Sequence, residues 1–189
     1  SPSRCYPRRM GDFSAVALDV GLAHLGWCFH NPSARLWRAG LIVTEKDAAG
    51  TGVNHSEDAI ARCRLLHHGL VSVVLEFAPK VLMVESLSFP RNAGATAKIG
   101  MAWGVVATLG LPTFHVPPMA VKLHVAGKKT ATKLEVQAAV DKLTDGAIER
   151  ECQSRKIPKS KREHPYDAAA AMFTAFQLES LRAARALSA

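Results

Sequence analysis

The sequence predicts an α/β protein, with a mixed five-stranded sheet and helices on both of its faces. Three observations predict it. Three apolar, strand-like segments lie close together within residues 14–44, joined by short connections as in a hairpin meander. After residue 55 the pattern alternates between helix and strand. The last part of the chain is helical and ends in an Ala-rich segment.

The elements follow in order. Ser14 to Asp19 reads S-A-V-A-L-D, a short buried strand. Gly21 and Gly26 bracket a turn, and a second strand runs from Leu25 to His30 until Asn31 and Pro32 stop it. Ala34 to Thr44 forms a third strand carrying Leu36, Trp37 and Ile42. Residues 45–55 are polar and contain glycine, hence a loop. Asn54 and Glu57 have capping-box spacing. Beyond them Ile60, Cys63, Leu66, Leu70, Val73, Val74 and Phe77 recur at helical intervals until Pro79. Val81 to Glu85 (V-L-M-V-E) suits a central strand buried on both faces. A loop over 86–92 leads to a helix from Ala93 to Leu109, where Gly100 and Gly104 are spaced one turn apart for close helix packing. Thr113 to Val116 is a fifth strand, ended by Pro117 and Pro118. Val121 to Leu134 reads as a basic loop running into a helix over Thr132 to Leu143. Residues 145–163 read as a polar, basic connector, and a final helix runs from Pro165 onward.

Composition narrows the function. The 189 residues carry 24 Lys and Arg against 16 Asp and Glu, a net charge of +8 at pH 7. That balance favours polyanionic partners, nucleic acid first and an anionic membrane surface second. No run of 18 apolar residues is present, so no membrane span is expected. Arg4, Arg8 and Arg9 are followed by no apolar stretch, so no secretory signal is expected either, and the chain is assigned to the cytoplasm, with an organelle left open. The cysteines at 5, 28, 63 and 152 are scattered, as reduced thiols are, and form no CxxC pattern. His67 and His68 are adjacent, so on a helix they point about 100° apart rather than at one ion.

Chemistry concentrates at element ends. Asp19 ends the first strand and Glu85 the fourth, where ligand crevices form in sheet proteins. His164 and Asp167 lie three apart at the start of the last helix, on one face, with Pro165 between them. Singly, Asp167 reads as a helix-capping acid, Asp19 as a turn residue and His164 as a surface histidine; Glu85, ending an apolar run, is hardest to dismiss. Together, three carboxylates suit hard divalent cations such as Mg²⁺ and Mn²⁺. Two such ions about 3.5–4 Å apart support phosphodiester cleavage.

The basic residues suit a phosphate partner. Lys122, Lys128, Lys129 and Lys133 lie between Val121 and Leu134 with no acid among them, and Gly127 and Thr130 add backbone and hydroxyl donors. Arg150, Arg155, Lys156, Lys159, Lys161 and Arg162 form a second run, either a solvated face or a DNA-facing one. Phe89, after Glu85 and before Pro90 and Arg91, is either a packed loop residue or an aromatic that stacks on bases.

At these residues the sequence resembles the RuvC-type Holliday junction resolvases of the ribonuclease H-like superfamily. The resemblance runs from about Ala15 to Ala175. It rests on A-L-D-V-G-L-A-H-L-G-W (17–27), V-L-M-V-E-S (81–86), N-A-G-A-T-A-K-I-G-M-A-W-G (92–104), V-K-L-H-V-A-G-K-K-T-A-T-K (121–133) and H-P-Y-D-A-A-A-A (164–171). It implies a ribonuclease H-like fold, with residues 1–12 a flexible N-terminal tail and 13–189 a single nuclease domain. By the same resemblance Asp19, Glu85, His164 and Asp167 would hold two Mg²⁺ ions per site, with Mn²⁺ able to substitute. Lys122 and Lys133 would approach the scissile phosphate. Phe89, Arg91, Lys98, Lys128, Lys129 and Thr130 would contact DNA.

The implied activity is a crossover junction endodeoxyribonuclease that resolves four-way DNA by paired symmetric nicks. It would act as a homodimer in a bacterial or phage-infected cell, with coupling to a branch-migration motor left open. Two departures from the family stand out: Gly127-Lys128-Lys129 replaces the common Gly-x-Gly, and the 145–163 connector is longer and more basic. They fit a phage-encoded or otherwise divergent member. Two alternatives remain at this point: a ribonuclease H-like nuclease acting on other branched DNA, flaps or RNA–DNA hybrids, and a catalytically silent junction-binding protein.

Overall fold

The computed structural model describes residues 13–44, 55–86 and 92–178. Strands β1 (Ala15–Asp19), β2 (His24–Asn31), β3 (Leu36–Val43), β4 (Val81–Glu85) and β5 (Thr113–Val116) form one sheet in the order β3-β2-β1-β4-β5. The β1–β2 and β2–β3 pairs are antiparallel, while β1–β4 and β4–β5 are parallel. The hairpin meander and the mixed direction expected from the sequence are both present.

Helices α1 (His55–Phe77) and α2 (Ala93–Ala107) cover one face. Leu66, Leu70 and Val73 of α1 and Ala102, Val105 and Val106 of α2 meet Val16, Leu18, Leu25, Phe29, Leu82 and Val84 there. The other face carries α3 (Pro118–Ala126), α4 (Lys133–Leu143), α5 (Ala147–Ser154) and α6 (Glu163–Ala175). Strand residues alternate between the two faces with a period of two. Ala15, Ala17, Val81 and Met83 therefore point at α6, and the next residues in those alternations are Asp19 and Glu85.

The α6 face is built from small side chains. Ala15, Ala17 and Ala39 on the sheet meet Ala168, Ala169 and Ala170 on the helix, all fully buried. Short side chains on both partners bring the axis of α6 close to the sheet. At the helix's first turn the approach is closest. A Cβ on Gly26 would lie 2.2 Å from the carbonyl carbon of His164. Gly26 pairs across the strands with Asp19, so the glycine seats the first turn of α6 beside that acid.

Three expectations are corrected. Val121–Ala126 is not loop but most of α3, with Pro118 in its first turn and Gly127 capping it at φ 75°. Val121 and Val125, one helical turn apart, anchor it in the core. The 145–163 segment is not an irregular connector. It holds α5, anchored by Ile148 and Cys152, and a 3₁₀ turn over Lys159–Lys161. Gly100 and Gly104 do not seat a neighbouring helix among the described residues, where a Cβ at either meets nothing within 4 Å. The proposed Asn54 cap lies outside the described residues.

These contrasts predict opposite effects of one substitution. Gly26→Ala is expected to lower stability by about 1–3 kcal/mol through overpacking against α6. Gly100→Ala and Gly104→Ala should each raise it by about 0.5–1 kcal/mol by reducing the entropy of the unfolded chain. Thermal unfolding of the three variants checks both signs; a Gly26→Ala protein as stable as the parent would mean that α6 is not seated on that glycine.

Candidate active site

Asp19 and Glu85 stand at the ends of the adjacent parallel strands β1 and β4, on the face covered by α6. His164 and Asp167 stand in the opening turns of α6. The fold brings these four together. His164 Nδ1 donates to Asp19 Oδ2 at 2.6 Å. In the neutral ring this puts the proton on Nδ1 and the lone pair on Nε2. Burial pushes the Asp167 carboxyl up to about 7, and the charges of Asp19 and Glu85 push it the same way. Burial also raises Glu85, with Asp19 adding to the shift. The carboxylates therefore feel one another. Among the described residues, no three of His, Cys, Asp and Glu lie within one coordination sphere.

The two lysines singled out are on the same side. Lys122 on α3 and Lys133 at the start of α4 both act on Glu85 to offset its rise. Lys133 Nζ bonds Glu163 Oε2 at 2.7 Å, an exposed pair. The turn between α3 and α4 holds the remaining basic residues. Lys128 pairs with Glu135, whose carboxylate also caps Thr132 at the head of α4. Lys128 and the Thr132 cap hold the Glu135 carboxyl down at about 2. Lys129 and Thr130 are exposed on this turn. Lys98 is exposed on α2, which packs on the opposite face of the sheet, and among the described residues no contact ties it to the carboxylates. Phe89 and Arg91 lie outside the described residues.

Several residues at the site were not singled out from sequence. His24 stacks its ring on His164, with centroids 5.3 Å apart and planes at 13°. It shares a face with Gly26 two residues on, which is the available sequence signal. Glu163 precedes His164, and its second oxygen lies 4.0 Å from His164 Nε2. Tyr166 donates from its hydroxyl to Asp141 Oδ1 at 2.6 Å, tying the first turn of α6 to α4. Glu135 was readable from the Thr132-x-x-Glu135 spacing.

Comparison with known proteins identifies the family. A family model described as crossover junction endodeoxyribonuclease RuvC matches residues 36–158, a span that includes Glu85, Lys122 and Lys133 but not Asp19, His164 or Asp167. The RuvC of Chloroflexus aurantiacus is 33% identical over 133 residues, covering 67% of this chain and 76% of the relative. That of Granulibacter bethesdensis is 33% identical over 139 residues, covering 70% and 73%. The solved structure of Thermus thermophilus RuvC in complex with Holliday junction substrate matches with a TM-score of 0.64 at 25% identity, covering 86% of this chain and 92% of that one. The yeast mitochondrial Holliday junction resolvase shares the fold, with a TM-score of 0.56 at 16% identity over 94% and 87% of the two chains. The fold is thus ribonuclease H-like.

The Asp167 shift has a measurable consequence without divalent ions. Its folded-state pKa of about 7 lies above the unfolded value of about 3.9. The folded state therefore holds the proton longer, and stability falls as pH rises from about 4 through 7. Asp167→Asn is expected to flatten that slope and to be more stable than the parent above pH 7, by up to about 4 kcal/mol. Denaturant unfolding across pH 4–8 in a chelator reads this directly; parallel curves for the two proteins would contradict it.

Proposed function

The chain belongs to the RuvC family of crossover junction endodeoxyribonucleases, and from that premise we propose that it resolves Holliday junctions at the site formed by Asp19, Glu85, His164 and Asp167. It is a hydrolase that cuts DNA at four-way junctions. The observation that carries the site assignment is the meeting of the α6 first turn with the two strand-end acids, marked by the 2.6 Å bond between His164 and Asp19.

The donor set fits a hard divalent cation. Three carboxyl groups with one imidazole at hand are grouped closely enough to raise the proton affinity of two of them. Asp19, Glu85, Asp167 and His164 would hold Mg²⁺ or Mn²⁺, two ions per site in this reading, which would supply water activation at neutral pH and charge to offset that on the leaving oxygen. The chain's own groups do the rest. Lys122 and Lys133 meet the negative charge that develops on the phosphate. Lys133 exchanges the Glu163 carboxylate for that phosphate. His164 keeps its Nδ1 proton on Asp19, which fixes the ring plane, while His24 supports one ring face. Lys128, Lys129 and Thr130 grip the backbone beside the cut and make affinity fall with salt.

In this reading two copies assemble as a homodimer, so that two sites nick two strands symmetrically. The nuclease domain spans residues 13–189, and the enzyme works in the bacterial cytoplasm, where its DNA is. No helix among the described residues is long and apolar enough to cross a membrane.

A synthetic four-way junction, labelled on each strand in turn, tests the proposal. Wild type with Mg²⁺ or Mn²⁺ should give paired symmetric nicks, absent in EDTA and absent on linear duplex and RNA–DNA hybrid. Asp19→Asn should lose about 10³-fold or more in cleavage rate and bind the junction as well or better, since a negative charge near phosphate is gone. Comparable cutting of hybrids, or nicking that survives loss of Asp19, would overturn it.

A further inference from the structure

Residues 155–162 form a built turn. Ile157 is buried in the core on the α6 side, and its N–H donates to the Cys152 carbonyl at 2.8 Å. Lys156 takes φ 55°, a left-handed conformation held by its N–H bond to the Gln153 carbonyl. Arg162 Nε donates to the Ile157 carbonyl at 3.0 Å, and the Lys161 N–H donates to the Pro158 carbonyl.

The cations of this region divide by residue type. The arginines are engaged within the protein. Arg150 donates to the Asp145 carbonyl at 2.8 Å, Arg155 pairs with Glu151 and lies over the Trp27 ring, and Arg162 pairs with Glu149. The lysines form no such close pairs, although the Glu163 carboxyl feels the charge of Lys161. Among the described residues no ion pair involves Lys156, Lys159 or Lys161, and the first two are exposed. A planar guanidinium suits fixed internal pairs, and a hydrated ammonium suits a phosphate met from solvent. Holding three like charges on one ordered turn costs repulsion that an external polyanion relieves. The turn runs directly into α6. Lys161 is three residues from His164, at most about 11 Å of chain, or about three phosphate steps of 3.4 Å along a strand.

We propose that Lys156, Lys159 and Lys161 form a second phosphate-backbone site, distinct from the turn between α3 and α4, that holds the duplex arm adjoining the cleaved phosphate. The proposal rests on the resolvase reading of the active site. It gives the unusually basic 145–163 segment a role that the chemistry at Asp19 does not.

Junction affinity against salt tests it, in the full chain with Asp19→Asn so that binding is read without cleavage. The triple variant Lys156→Gln, Lys159→Gln, Lys161→Gln should lower the slope of log K against log salt by about 2–3, near 0.9 per lost phosphate contact, and weaken binding about tenfold or more at low salt. Arginine at the same three positions should keep the slope, and Lys159→Gln alone should lower it by about 0.9. Trimming the junction arms back toward the crossover should erase the difference between the triple variant and its parent. An unchanged slope in the glutamine variants, melting as the parent does, would overturn the proposal, as would a difference that survives trimmed arms. Failure of the resolvase reading itself would show separately, as absent nicking by wild type, with the slopes still reporting whether the turn grips duplex DNA.

Discussion

The active site depends on a single close approach, that of the His164 backbone to β2 at Gly26. A methyl group there would stand 2.2 Å from the His164 carbonyl carbon and 2.3 Å from its oxygen. With only hydrogen at that position, α6 slides down until its first turn is level with Asp19, the partner of Gly26 across the strands. The alanines of β1, β3 and α6 let the rest of the helix pack on the sheet through short side chains. Tyr166 on Asp141 and Arg162 on Glu149 then fix the rotation of the turn from the α4 and α5 side. Packing of small side chains thus sets which carboxylates meet, before any electrostatic term acts.

Electrostatics opposes what packing imposes. Asp19, Glu85 and Asp167 share one end of the sheet, and half-buried Glu85 and Asp167 hold protons more tightly than ordinary carboxyls. Two lysines on this side are meanwhile drawn into pairs of their own, Lys133 with Glu163 and Lys128 with Glu135. Both pairs are solvent-exposed and hold weakly in water. The resting site therefore has surplus negative charge inside and lightly held positive charge at its rim. That arrangement suits divalent cations and a phosphate arriving together, each relieving a repulsion that the other would otherwise meet.

Most of this arrangement was legible in sequence because it follows local periodicity. Alternation carries the inward face of β1 from Ala15 through Ala17 to Asp19, and of β4 from Val81 through Met83 to Glu85. The His164–Asp167 spacing placed both on one helix face. The errors came where charge masked periodicity. In 145–163 the Lys and Arg residues outweighed Ile148 and Cys152, whose four-residue spacing marks the buried face of α5. In 118–126, Lys122 and the lysines that follow at 128 and 129 mask Pro118 and the Val121–Val125 pair, which mark α3. Gly26 and Gly104 look alike in a sequence, yet one is required by a tertiary contact and the other faces open space. His24 was hidden for the same reason, since its role is a ring stack on a residue 140 positions away.

Anomalous diffraction from crystals soaked in Mn²⁺ reads the site directly. Manganese signal is expected against the carboxylates of Asp19, Glu85 and Asp167, with its loss from Asp19→Asn crystals. Manganese held elsewhere on the chain, with none at the junction of β1, β4 and α6, would contradict that expectation.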